Sequence, residues 1–110
     1  MLDAEVIVDA DNELELRALI DASARGDSHA QTTLGLAYEL GHGVERDVLR
    51  AGHLFRQAAE AGVARAQYAL GLLYELGLGM EPRPELAKPW YERAALQGYE
   101  AARRRLEEKA

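Results

Sequence analysis

The stretch AQTTLGLAYELGHG (residues 30–43) returns 36 residues later as AQYALGLLYELGLG (residues 66–79). Working outward, Gly26, Gly62 and Gly98 keep the same step, as do Ala30, Ala66 and Ala102, and Leu34, Leu70 and Leu106. Aligning residues 26–61 with 62–97 without gaps gives 15 identities in 36 positions, where about two or three would arise by chance. A period of this length is the mark of a helical-repeat array, in which each repeat is one supersecondary unit.

Each unit reads as two helices. The first, near 28–40 and 64–76, carries apolar residues at helical spacing: Ala30, Leu34 and Tyr38, then Ala66, Leu70 and Tyr74. Gly41-His42-Gly43 or Gly77-Leu78-Gly79 follows as a loop. The second helix, near 48–61 and 84–97, carries Ala51, Phe55, Ala58 and Ala59, then Ala87, Tyr91, Ala94 and Ala95, and closes at Gly62 or Gly98. Residues 13–25 match the second helix of a preceding unit, with Asn12 and Glu15 as a capping pair. Residues 99–108 match the first helix of a following one. The expected fold is therefore all-α: an α/α superhelix, a short solenoid of six antiparallel helices. A half unit spans 12–25, full units span 26–61 and 62–97, and a half unit spans 98–110. Residues 1–11 form an acidic segment outside the repeat, expected to be extended or partly disordered.

Glycine inside a helix costs about 1 kcal/mol relative to alanine. Gly35 and Gly71 stand mid-helix at equivalent positions, which implies that a neighbouring side chain fills the space each leaves. In the second unit Arg83 replaces the capping Asp47, with Pro84 suited to the first helical position. Pro89 then lies inside the helix and is expected to kink it or delay its regular start.

Composition narrows the function classes. There is no cysteine, so neither a disulfide framework nor a thiolate zinc site can form. Met1–Glu5 is acidic where an export signal would be basic, and no apolar run approaches the roughly 18 residues of a membrane span. No membrane association and a cytoplasmic location are the expectations. The net charge of −6 lies in residues 1–27, where eight acids face two arginines; the remainder is neutral. Such an end repels phosphate backbones, so no nucleic-acid partner is expected.

No catalytic constellation emerges. The Gly-x-Gly loops follow helices and lack the lysine of a nucleotide loop. His29, His42 and His53 form no metal-spaced pair. Ser28 with Gln31 reads as a helix-start cap. Glu39 and Glu75 recur by repetition, about 10 Å apart on neighbouring packed helices, rather than as a catalytic pair. Trp90-Tyr91 occupies a core position, and Arg103-Arg104-Arg105 reads as the solvated face of a terminal helix. No catalytic residue, metal or cofactor is expected, and the chain reads as a non-enzyme.

The pattern Ala66-Gln67, Leu70-Gly71, Tyr74, Gly77, Gly79, Ala87, Trp90-Tyr91, Ala94-Ala95, Gly98 resembles the Sel1-like repeat, a relative of the tetratricopeptide repeat. The first unit matches through Ala30-Gln31, Leu34-Gly35, Tyr38, Gly41, Gly43, Asp47, Ala51, Phe55, Ala58-Ala59 and Gly62. The resemblance covers residues 13–108 and implies a scaffold or adaptor for a protein or peptide partner. It further implies that first helices line a concave face. The contact residues carried over are His29, Thr32, Thr33, Leu36 and Glu39 in the first unit, Arg65, Tyr68, Leu72 and Glu75 in the second, and Arg104, Arg105 and Glu108 in the terminal helix. Leu36, Tyr68 and Leu72 would be apolar anchors, with the charges fixing register. The alternatives are an inhibitor or immunity-type protein that blocks a toxin enzyme, and a self-associating structural module. The expected state is a monomer or a weak homo-oligomer.

Overall fold

The computed structural model describes residues 10–109, with side chains described for 13–108. Helices follow in the order α1 (Ala10–Ala24), α2 (Ser28–Leu40), α3 (Val48–Glu60), α4 (Ala64–Leu76), α5 (Pro84–Leu96) and α6 (Glu100–Lys109). No strand occurs among the described residues. Every extensive interface joins helices adjacent in the chain, those within a unit (α2 with α3, α4 with α5) being the largest. The array measures 47 × 27 × 26 Å, as expected when each element buries its apolar face only against its neighbours.

The period is written into the backbone bonding. The amides of Asp27, Val63 and Tyr99 donate to the carbonyls of Ala22, Ala58 and Ala94 at 3.0, 3.1 and 3.1 Å. Those of Asp47 and Arg83 donate to Tyr38 and Tyr74 at 2.9 and 2.6 Å, closing the loop inside each unit. Gly41 and Gly77 end the first helices at φ 74° and 73°, a left-handed conformation that glycine adopts without a Cβ penalty. At Gly77 a Cβ would also lie 2.6 Å from the Pro82 ring.

Helix starts depart from expectation in three places. α1 begins at Ala10, so Asn12 lies inside the helix and is not its cap. α2 is capped by Asp27, whose carboxylate accepts from the amides of His29 and Ala30 at 3.0 Å. Ser28 is already helical, so the Ser28–Gln31 cap is replaced by an aspartate one position earlier. α3 is capped by Asp47, as its position in the repeat suggests, through a bond from the Arg50 amide at 3.0 Å. α5 has no side-chain cap but carries Pro84 in its first turn. It runs unbroken from Pro84 to Leu96 with Pro89 inside, so its start is not delayed. Residues 1–9 of the segment read as extended or partly disordered lie outside the described residues.

Gln31 and Gln67 are buried, and each donates its side-chain amide to a carbonyl eight residues earlier, Ser23 at 3.4 Å and Ala59 at 3.1 Å. These carbonyls belong to the last turn of the preceding helix, where each also accepts from a turn amide, Gly26 or Gly62, at 3.0 Å, and the glutamine uses its second lone pair. The repeated glutamine thus ties each first helix to the end of the second helix before it.

The core runs through Ala51, Phe55, Ala58, Ala66, Leu70, Leu73, Ala87, Tyr91 and Ala94. Phe55 lies over Gly35 and Tyr91 over Gly71. A Cβ at Gly35 would stand 2.7 Å from Phe55 Cε1, and one at Gly71 only 2.5 Å from Tyr91 Cε1. Glycine at these positions is therefore a packing requirement. Gly71→Leu should cost about 1–3 kcal/mol or more by overpacking. Gly52, whose Cβ would meet only Leu73 at 3.4 Å, should behave oppositely: Gly52→Ala gains up to about 1 kcal/mol of helix propensity. Urea denaturation of both variants checks the pair of signs.

Candidate partner-binding surface

The first helices α2, α4 and α6 carry all the residues carried over as partner contacts. His29, Thr33, Arg65, Arg104 and Glu108 are exposed. Leu36, Tyr68 and Leu72 are half-buried and lean on the core. Tyr68, Arg104, Arg105 and Glu108 are brought together, lining a depression of about 160 Å³ between α4 and α6. The Tyr68 ring is fixed between Tyr91 and Tyr99, with centroids at 5.8 and 5.3 Å.

Two of the expected contact residues turn away from solvent. Thr32 is only 4% exposed, and its hydroxyl donates back to the Ser28 carbonyl at 2.9 Å. The Glu75 side chain is 6% exposed and paired within the chain. Tyr91 Oη donates to Glu75 Oε1 at 2.6 Å, and Arg105 Nε donates to the same oxygen at 2.9 Å. Burial, followed by the hydrogen bond to Glu75 and that carboxylate's charge, pushes the Tyr91 phenol well above its ordinary pKa; the Arg105 charge opposes this. The bond to Glu75 leads in raising the Arg105 pKa as well.

The three adjacent arginines of α6 therefore have three different environments. Arg103 pairs at the surface with Glu100 and Glu107 at 2.5 and 2.6 Å. Arg104 is exposed and borders the depression between α4 and α6. Arg105 reaches inward to Glu75. A run of like charges does not announce such a division. The signal that could have found it is the repeat itself: Phe55 becomes Tyr91 one unit on, and Ala69 becomes Arg105.

Glu39, the counterpart of Glu75, is half-buried. Burial raises its pKa, opposed by the Arg46 charge. A second, larger slot of about 380 Å³ opens among α4, α5 and α6, lined by Glu75, Ala87, Tyr91 and Leu106 with the exposed Lys88 and Glu92 at its rim. The sequence reading missed it because Ala87, Tyr91 and Leu106 all sit at core positions of the repeat. Among the described residues no three histidines, aspartates or glutamates are grouped to hold a metal ion, and no helix is long and apolar enough to cross a membrane.

Tyr91→Phe should retain the fold, since Phe55 occupies the equivalent place, and should cost about 1–2 kcal/mol at neutral pH. A phenol whose folded-state pKa is raised favours folding in its neutral form. Its contribution is complete below the ordinary pKa of about 10 and is lost as pH rises toward the folded-state value. Thermal midpoints measured on either side of that pH should fall more steeply for the wild type than for Tyr91→Phe.

A family-model comparison matches two copies of the Sel1 repeat, at residues 28–63 and 64–99, two residues offset from the units above and with the same period. Among solved structures, a Sel1 repeat protein from Oxalobacter formigenes is 39% identical with a TM-score of 0.73, over 80% of this chain and 66% of that one. A protective antigen of uropathogenic Escherichia coli strains, displaying an SLR fold, is 34% identical with a TM-score of 0.75, over 76% of this chain and 18% of that one. The chain thus spans just under two thirds of the first protein and under a fifth of the second. No curated protein matches it. Two consecutive family repeats, joined to a six-helix array that superposes on solved members, show that the chain belongs to the Sel1 repeat family.

Proposed function

We propose that this chain is a non-catalytic interaction module that takes a protein or peptide partner on the face formed by α2, α4 and α6, acting as an adaptor or regulator. The observation that carries the reading is the depression between α4 and α6. There a fixed aromatic ring, Tyr68, lies beside the outward charges Arg104 and Glu108. An aromatic anchor held rigid by its neighbours, rimmed by charges of both signs, is the arrangement that protein interfaces favour. Membership of a family of protein-interaction repeats supports the general class. The carboxylate most deeply placed on this face, Glu75, is tied to Tyr91 and Arg105. It serves the array rather than a reaction.

Arg65 and Arg104 are exposed and free of packing duties, so they separate binding from folding better than Tyr68 or Leu72. The double variant Arg65→Glu/Arg104→Glu should keep its thermal midpoint yet weaken the captured partner by at least about tenfold, the effect of reversing interface charges. Lys88→Glu, on α5, should leave affinity unchanged. Calorimetry with the partner isolated by affinity capture reads both. Equal affinity for all three proteins would exclude the face.

A further inference from the structure

The slot among α4, α5 and α6 has a filled counterpart one unit earlier. Its wall residues Pro84, Lys88 and Glu92 stand 36 residues after Val48, Gly52 and Arg56. In the first unit the end of α4 and the loop after it cover these positions. A Cβ at Gly52 would stand 3.4 Å from Leu73 Cδ1, and one at Gly79 would stand 3.3 Å from Val48 Cγ1. The Arg56 guanidinium lies over the Tyr74 ring, 5.7 Å from its centroid. In register, Leu73 and Tyr74 become Lys109 and Ala110, so the third first helix repeats neither the leucine nor the ring. The floor of the slot is correspondingly accessible: Leu70 is buried, whereas its counterpart Leu106 is half-buried.

A second copy of the chain is a poor occupant. Both full units seat a ring of the second helix on a glycine of the first. The counterpart of Gly71 on α6 is Glu107, exposed and bonded to Arg103 at 2.6 Å. That face of α6 is therefore closed to a further second helix by its own charges, while the slot beneath it stays open.

We propose that the slot docks the end of a helix from a second partner protein, one that carries a leucine followed directly by an arginine or lysine. The leucine takes the place that Leu73 takes in the first unit, against Ala87, Tyr91 and Leu106. The cation answers Glu92. Where Arg56 faces an aromatic ring, the carboxylate at the equivalent position is complemented by positive charge. The slot shares no lining residue with the depression beside Tyr68, so this site is additional to the α2–α4–α6 face.

The test uses two synthetic peptides with the sequence of residues 66–80, one unchanged and one with Tyr74→Arg. Each is titrated into the isotope-labelled full chain and followed by NMR. The Tyr74→Arg peptide should shift the amide signals of Ala87, Glu92 and Leu106 saturably and leave those of Thr33 and Arg65 in place. Adding Leu73→Asp to that peptide should weaken binding at least about tenfold, through loss of one buried leucine side chain. On the wild-type chain the Tyr74→Arg peptide should bind about two- to fivefold more tightly than the unchanged one. Glu92→Arg, a change at an exposed position, should reverse that preference, because an arginine there again meets a ring. Absence of saturable shifts, shifts centred on Arg65, undiminished binding of the Leu73→Asp peptide, or the same preference in both chains overturns the proposal.

Discussion

An aromatic ring laid on a glycine sets the geometry of each unit. Phe55 over Gly35 and Tyr91 over Gly71 bring the two helices so close that even a methyl group at the glycine would intrude on the ring. The glycine weakens its own helix by about 1 kcal/mol. Full burial of the ring contributes about 2–3 kcal/mol in return, so the packed pair wins over local propensity. Alanines at 51, 58, 87 and 94 extend the close approach along the same seam. The seating of α2 on α3 and of α4 on α5 follows from this contact.

The fold was legible because that constraint repeats. A requirement that recurs every 36 residues leaves identical residues behind, and these mark the helices of both full units to within a residue or two. Helix starts were less legible. A cap needs only one short polar side chain, and Asp27, Ser28 and Asn12 all qualify by type. Which one acts depends on where the helix begins, and packing decides that. Pro89 is similar: by local rules it disrupts a helix, yet α5 continues through it with the ring exposed to solvent.

The candidate site was legible as a face but not as a set of available side chains. Its residues were placed on the first helices by analogy between units, and analogy treats equivalent positions as alike. Thr32 and Tyr68 are equivalent, yet the threonine is buried and bonded to its own helix while the tyrosine borders a depression. Glu39 and Glu75 are equivalent, yet only the second meets a hydroxyl and a guanidinium. A repeat reports what its copies share. The features that give this chain its individual chemistry are the differences: Phe55 against Tyr91, Ala69 against Arg105, Asp47 against Arg83. Read as departures from a common frame, these substitutions carry more functional information than the identities that reveal the frame.

The glutamine clasp between successive units bears on how the array is built in time. Gln31 and Gln67 each reach back only eight residues, and every extensive interface joins chain neighbours. Contacts of such short sequence range cost little loop-closure entropy, so topology favours rapid folding. The α4–α5 pair has the largest interface and the glycine–tyrosine seam, which makes it the natural nucleus. Gln31 and Gln67 then seat each first helix on a carbonyl already close by in the chain, at the end of its predecessor.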